Sequence, residues 1–179
     1  MQRRTAVKYL FVVAAGSAIL PSCLHKTDKA SIVLKHLDIN AAQEKLLAEI
    51  AETIIPTGSA PGARDTYAHL FVLRMVDDCY EQQKQKTFLA GLNTIDDLAS
   101  QKFGSSFLKC NSQQRNEIVN ELETKKAPGD AVDFYTMMKA LTIQGYLSSK
   151  PVLGDIFKYE LIPGRYNGFF PVKTIIHRA

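Results

Sequence analysis

An all-α fold is predicted by three features of the sequence. Apolar residues recur at three- and four-residue intervals through long stretches from residue 40 onward. These stretches are separated by clusters of Pro, Gly, Asn and Asp, the residues that start and stop helices. No stretch of any length alternates apolar and polar residues as a half-buried strand does. The expected molecule is one domain of five to six helices over residues 39–179, with an irregular, aromatic-rich C-terminal tail. It follows a signal peptide (1–22) and a tether (23–38).

The first helix is marked by Asn40, a good cap, with Gln43 three residues on as in a capping box. Leu46, Leu47, Ile50 and Ile54 form its apolar stripe, and Pro56 and Gly58 stop it. The loop PTGSAPGARD (56–65) follows, with Asp65 placed to cap a second helix through Leu70, Leu73 and Val76 to Cys79-Tyr80. A third helix, from about Gln82 to Lys102, faces Phe88, Leu89, Leu92, Ile95 and Leu98 inward and ends at Gly104. Asn111 or Ser112 caps a fourth, through Ile118, Val119 and Leu122. Asp130, after Pro128-Gly129, is in position to cap a fifth from about Ala131 to Leu147, carrying Phe134, Met137, Met138, Leu141 and Ile143. A short helix from Pro151 to Lys158 leads into the tail, YELIPGRYNGFFPV.

The first 23 residues read as an export signal. A basic start precedes an apolar run, Tyr9 to Leu20, which is shorter than the roughly 20 residues a membrane span needs. Arg3-Arg4, with Lys8 behind them, resemble a twin-arginine signal, the route of proteins exported already folded. Leu20-Pro21-Ser22-Cys23 resembles a lipobox, in which the Cys23 sulfur is alkylated before the chain is cut in front of it. Cleavage there removes Arg3, Arg4 and Lys8 but no acid, so the formal charge of +4 falls to about +1. A near-neutral domain argues against nucleic-acid binding, which needs a clustered basic face. With Cys23 lipidated, Cys79 and Cys110 remain, read either as a disulfide or as two separate thiols.

The sequence carries no motif of a catalytic or metal site. His25, His36, His69 and His177 have no metal-binding spacing, and there is no CxxC, GxGxxG or phosphate-binding loop. Asp77-Asp78 and Asp96-Asp97 are adjacent on helices, where neighbours point about 100° apart, so both pairs read as solvated faces. Met137-Met138 read as core packing, and PTGSAPGA as a connecting loop.

The segments IAETIIPTGSAPGARD (50–65), DDCYEQQKQKTFLAGLNTID (77–96), FYTMMKALTIQGYLSS (134–149) and KYELIPGRYNG (158–168) resemble the gluconate 2-dehydrogenase subunit 3 family. The likeness covers about residues 40–170, and IIPT followed by PGA is its most specific part. The resemblance implies a non-catalytic accessory chain with no cofactor of its own. It implies a large flavoprotein partner of the glucose–methanol–choline type that holds FAD and oxidises a sugar or sugar acid, and in some complexes a cytochrome c subunit. The small chain would escort that partner through the twin-arginine route; the lipobox Cys23, which the family's general pattern does not require, would anchor this member and hence its partner at the periplasmic face of a membrane. It implies a partner surface at Pro61-Gly62 and in the segment of Tyr159, Pro163, Gly164, Tyr166, Phe169 and Phe170. The rival readings are a stand-alone anchored lipoprotein and an enzyme using Cys79 or Cys110 as a redox thiol.

Overall fold

The computed structural model describes residues 29–162 together with Gly164, Gly168 and Phe169. Among them lie five α-helices: α1 (Ala41–Ile54), α2 (Ala68–Cys79), α3 (Gln82–Phe103), α4 (Ser112–Glu123) and α5 (Gly129–Leu147). A 3-10 turn (Phe107–Lys109) joins α3 to α4, and a π-helical turn (Val152–Ile156) follows α5. The described residues contain no strand, only an isolated bridge between Lys29 and Asn40. The all-α expectation holds.

The helix ends follow the chemistry of their caps, with two corrections. Asn40 and Asn111 each close a capping box, accepting from the N–H of Gln43 and of Gln114 and receiving those side chains in return. Gly104 takes the left-handed conformation (φ 68°) that ends α3. Asp65 does not cap α2; its carboxylate turns back to Thr57 Oγ1 and the Gly62 N–H. The α2 N-cap is Tyr67, left-handed at φ 55° and with no side-chain cap bond. Asp130 lies inside the first turn of α5, whose N-cap is Pro128. There it still meets the positive helix end, which favours an acid.

The core forms around α5, which packs most extensively on α3 and α2 and also meets α1 and α4. Phe134 and Met138 of α5, Phe88, Leu92 and Ile95 of α3, Val72, Leu73 and Val76 of α2, and Leu47 and Ile50 of α1 are fully buried. Phe88 and Phe134 stack obliquely with ring centres 4.8 Å apart. Two glycines allow the close approach of α5. A Cβ at Gly91 would overlap the Phe134 side chain and the Asp130 carbonyl, and one at Gly145 would come within 2.9 Å of Phe71. Glu49 of α1 ties the periphery together, accepting from Arg64 Nη2 at 2.7 Å and from Arg115 of α4. Arg115 also donates to the Phe107 and Leu108 carbonyls and lies over the Phe107 ring.

The described part of the expected tether, residues 29–38, belongs to the domain instead. Ala30 N–H bonds the Ile39 carbonyl at 3.2 Å, Ser31 donates through N–H and Oγ to Glu44, and Leu37 and Ile39 are buried. The loop is clamped at its far end by Asp77, whose carboxylate accepts from the N–H groups of Lys35, His36 and Leu37 at 2.7–2.8 Å. Asp77 is thus buried and fully engaged, which corrects its reading as a solvated residue; only Asp78, paired with Lys35 and Arg74, sits on the outer face. Burial alone would raise the Asp77 pKa, but the three backbone donors outweigh it and hold the carboxyl below its ordinary 3.8. Asp96 likewise accepts the Phe107 N–H at 2.8 Å and so leaves the solvated-face reading, while Asp97 is exposed.

The two cysteines do not pair. Cys79 is an exposed free thiol, and Cys110 is a buried one, 3.7 Å from Ser105 Oγ. Gln85 Nε2 bonds the carbonyls of Asp77 and Tyr80, which fixes Cys79 at the start of α3. Cys110 follows the 3-10 turn that is pinned to Asp96. Gln85 and Asp96 are about 16 Å apart along α3, whereas a disulfide requires Cα atoms within about 7 Å.

Candidate docking face

The loop between α1 and α2 is built to one shape by two carboxylates. Glu52 accepts from the Thr57 N–H and Oγ1 (both 2.8 Å) and from the Arg64 N–H (3.1 Å). Asp65 accepts from the Gly62 N–H (3.0 Å) and shares with Glu52 the single Thr57 hydroxyl proton, Oγ1 lying 2.8 Å from each carboxylate. The Gly62 hydrogen bond, then that of Thr57, holds the Asp65 pKa below its ordinary value. Gly62 is buried, and a Cβ there would overlap Thr57 Oγ1 and Glu52 Oε2. Its role is therefore to let the loop close, not to touch a partner. Pro61 is half-buried, and the loop's exposed part is residues 56–59 with Arg64 and Asp65.

From this loop the chain passes through Tyr67, whose side chain is 66 % exposed. For a bulky residue the left-handed region is strained. Beside it lies a cleft of about 440 Å³ with Asp65, Tyr67 and Phe71 on one side and Gly145, Ser149 and Pro151 on the other. The Gly145–Phe71 contact fixes the two sides together. The two most distinctive segments of the sequence, PTGSAPGARD and GYLSS, therefore meet in space.

Beyond Pro151 the chain makes its π-helical turn and exposes large apolar side chains in close succession: Phe157, Tyr159 (59 %), Leu161 (80 %) and Ile162 (85 %). Leu147, at the end of α5, is exposed before them. Lys158, between the two aromatics, is left-handed at φ 51°. Of the three non-glycine residues with positive φ among the described residues, Tyr67 is itself an exposed aromatic and Lys158 lies between two. Single exposed apolar residues are ordinary, but here several follow one another beside a left-handed residue, which makes this segment the candidate docking face.

Of the surface residues read from the sequence, Tyr159, Gly164 and Phe169 are exposed. Arg3, Arg4, Cys23, Pro163, Tyr166 and Phe170 lie outside the described residues. Tyr67, Leu147 and Phe157 are exposed at the same end without a mark in the sequence. Apolar spacing alone places Leu147 on a helix without assigning its side, and nothing in the sequence signals a left-handed tyrosine.

Three buried polar atoms among the described residues, His69 Nδ1, Thr142 Oγ1 and Ser149 Oγ, have no hydrogen-bond partner, whereas the polar groups of the α4–α5 side are paired with one another. A larger groove, about 500 Å³ between α4 and α5, is lined by Leu122, Val132, Tyr135 and Ile143. At its edge Glu123 accepts from Lys139 and from Tyr135 Oη. Burial, then the Glu123 charge, drives the Tyr135 pKa upward, so the phenol remains protonated. His69 is buried beside Tyr67, and burial lowers its pKa. No group of three metal-ligating side chains occurs among the described residues, and no helix among them is long and apolar enough to cross a membrane.

Comparison with curated proteins and with solved structures returns no match. The family model for gluconate 2-dehydrogenase subunit 3 matches residues 41–164, which run from the first residue of α1 into the exposed apolar segment. With well over half of its length matched, the chain belongs to the gluconate 2-dehydrogenase subunit 3 family.

Proposed function

We propose that this chain is the non-catalytic escort and anchor of an exported, flavin-dependent dehydrogenase. Family membership makes it an accessory subunit of a dehydrogenase complex. The finer reading is that its partner is a large flavoprotein of the glucose–methanol–choline type, which carries FAD and the sugar-oxidising site. A cytochrome c subunit would receive the electrons. The observation that carries this reading is the apolar run Phe157, Tyr159, Leu161 and Ile162, exposed next to the cleft where the distinctive segments meet. Exposed aromatic and aliphatic side chains of this kind form the water-excluding centre of a protein interface.

In this reading Arg3 and Arg4 direct the folded pair to the twin-arginine route, and lipid on Cys23 holds it at the periplasmic membrane face. The flavoprotein, folded around its cofactor in the cytoplasm, is what requires that route. The test is to replace Arg3 and Arg4 together with lysine and to fractionate the cells. The expected result is that this chain and the flavoprotein both remain in the cytoplasm. A flavoprotein that still reaches the periplasm would contradict the escort role.

A further inference from the structure

We propose that the end of the domain around Lys29 and Asn40 is the face this protein lays against a phospholipid bilayer, held there by a short leash. The inference rests on lipidation of Cys23, as proposed above, and adds an orientation to it.

Residues 29–40 form a closed loop whose two ends meet at the antiparallel Lys29–Asn40 bridge and the Ala30–Ile39 hydrogen bond. Compact loops of this length with adjoining ends hold together through their own contacts. Here Glu44 holds Ser31 near the start, Asp77 holds the Lys35–Leu37 backbone, and Leu37 and Ile39 are buried. The chain is therefore fixed to the domain at Lys29, not at the start of α1.

That closure decides the length of the tether. Lys29 stands six residues after Cys23, so the link reaches at most about 20 Å even fully extended. A domain of this size has a radius of gyration of about 15 Å and spans about 40 Å. A leash of half that span lets the molecule tilt but holds the Lys29 end next to the headgroups. With the loop open, the link would run to Asn40 and reach nearly three times as far. Val33, the loop's exposed large apolar side chain, sits beside Arg74 of α2, which donates to its carbonyl. The surface next to the bridge is polar, with exposed Lys29 and Lys45 and the Gln43–Asn93 hydrogen bond. It suits contact with headgroups, not insertion among acyl chains. The signature loop leaves from the opposite end of α1, about 20 Å further along its axis. The apolar docking face is thus carried on the side away from the bilayer, where a large partner has room.

The test uses the full precursor expressed in its own cells, purified from membranes and reconstituted into a supported phosphatidylcholine–phosphatidylglycerol bilayer. Mass spectrometry of the N-terminal peptide reports the lipid, and neutron reflectometry reports the hydrated gap between headgroups and protein. The expected gap is no more than about 20 Å. Inserting twelve Gly/Ser residues between Asp28 and Lys29, outside the folded loop, should widen it by roughly 10 Å, as the mean span of a flexible link grows. A lipidated protein with a wider native gap, or one whose gap ignores the insertion, overturns the leash alone. A Cys23 without lipid overturns the anchor and the leash together.

Discussion

Asp77 concentrates three long-range hydrogen bonds on one carboxylate and joins α2 to a loop some 40 positions earlier in the chain. Asp77→Ala leaves those backbone donors without their acceptor and should cost about 3 kcal/mol, read by urea denaturation. Its pH signature has a definite sign. The folded pKa lies below the ordinary 3.8, so the stabilisation is complete above that value and is lost as pH falls through the lower, folded one. Asp77→Asn should therefore flatten the fall in stability below about pH 4; an unchanged slope would contradict the assignment. Gly62→Ala should cost about 2 kcal/mol or more, because the Thr57 and Glu52 oxygens occupy the Cβ position. Tyr67 is the complementary case, strained and exposed. Tyr67→Gly should leave stability unchanged or raise it by up to about 1 kcal/mol, while weakening capture of the partner subunit at least tenfold. A loss of stability with binding intact would remove Tyr67 from the docking face.

At the scale of elements, the close packing of α5 on α3 and α2 depends on the absence of side chains at Gly91 and Gly145. Gly91→Ala would improve helix propensity in isolation, yet it should destabilise the fold by about 2 kcal/mol through its overlap with Phe134 and Asp130. The thiols follow from the same layout. Alkylation of the folded protein should modify Cys79 readily and Cys110 only after denaturation, since Cys79 is exposed and Cys110 is buried. All five α-helices were legible in the sequence because each carries an apolar stripe, and all but α2 also carry a local start or stop signal, as with Asn40 and Gln43 or Gly104. Features set by distant parts of the chain were not. Asp65 turns back to Gly62, Asp77 reaches Lys35–Leu37, and the cysteines are separated by helix length, none of which appears in local spacing. The docking face was half legible for the same reason. Aromatics mark the tail, but which of them are left exposed is decided by packing.

For the whole molecule, one small domain carries two contrasting ends. Around Lys29 the chain enters through a closed loop with a polar bridge at its base, and around Tyr67 and Phe157 the distinctive loop, the end of α5 and an apolar segment converge. In the escort and anchor proposed above, the first end would serve attachment and the second the partner. The most direct test of that account is a gentle affinity purification of the tagged chain from its own cells, read by flavin absorbance and mass spectrometry. The account predicts a yellow complex with a large flavoprotein, reduced when Phe157 and Leu161 are both replaced by serine. A colourless chain recovered alone, under conditions that preserve such complexes, would contradict it.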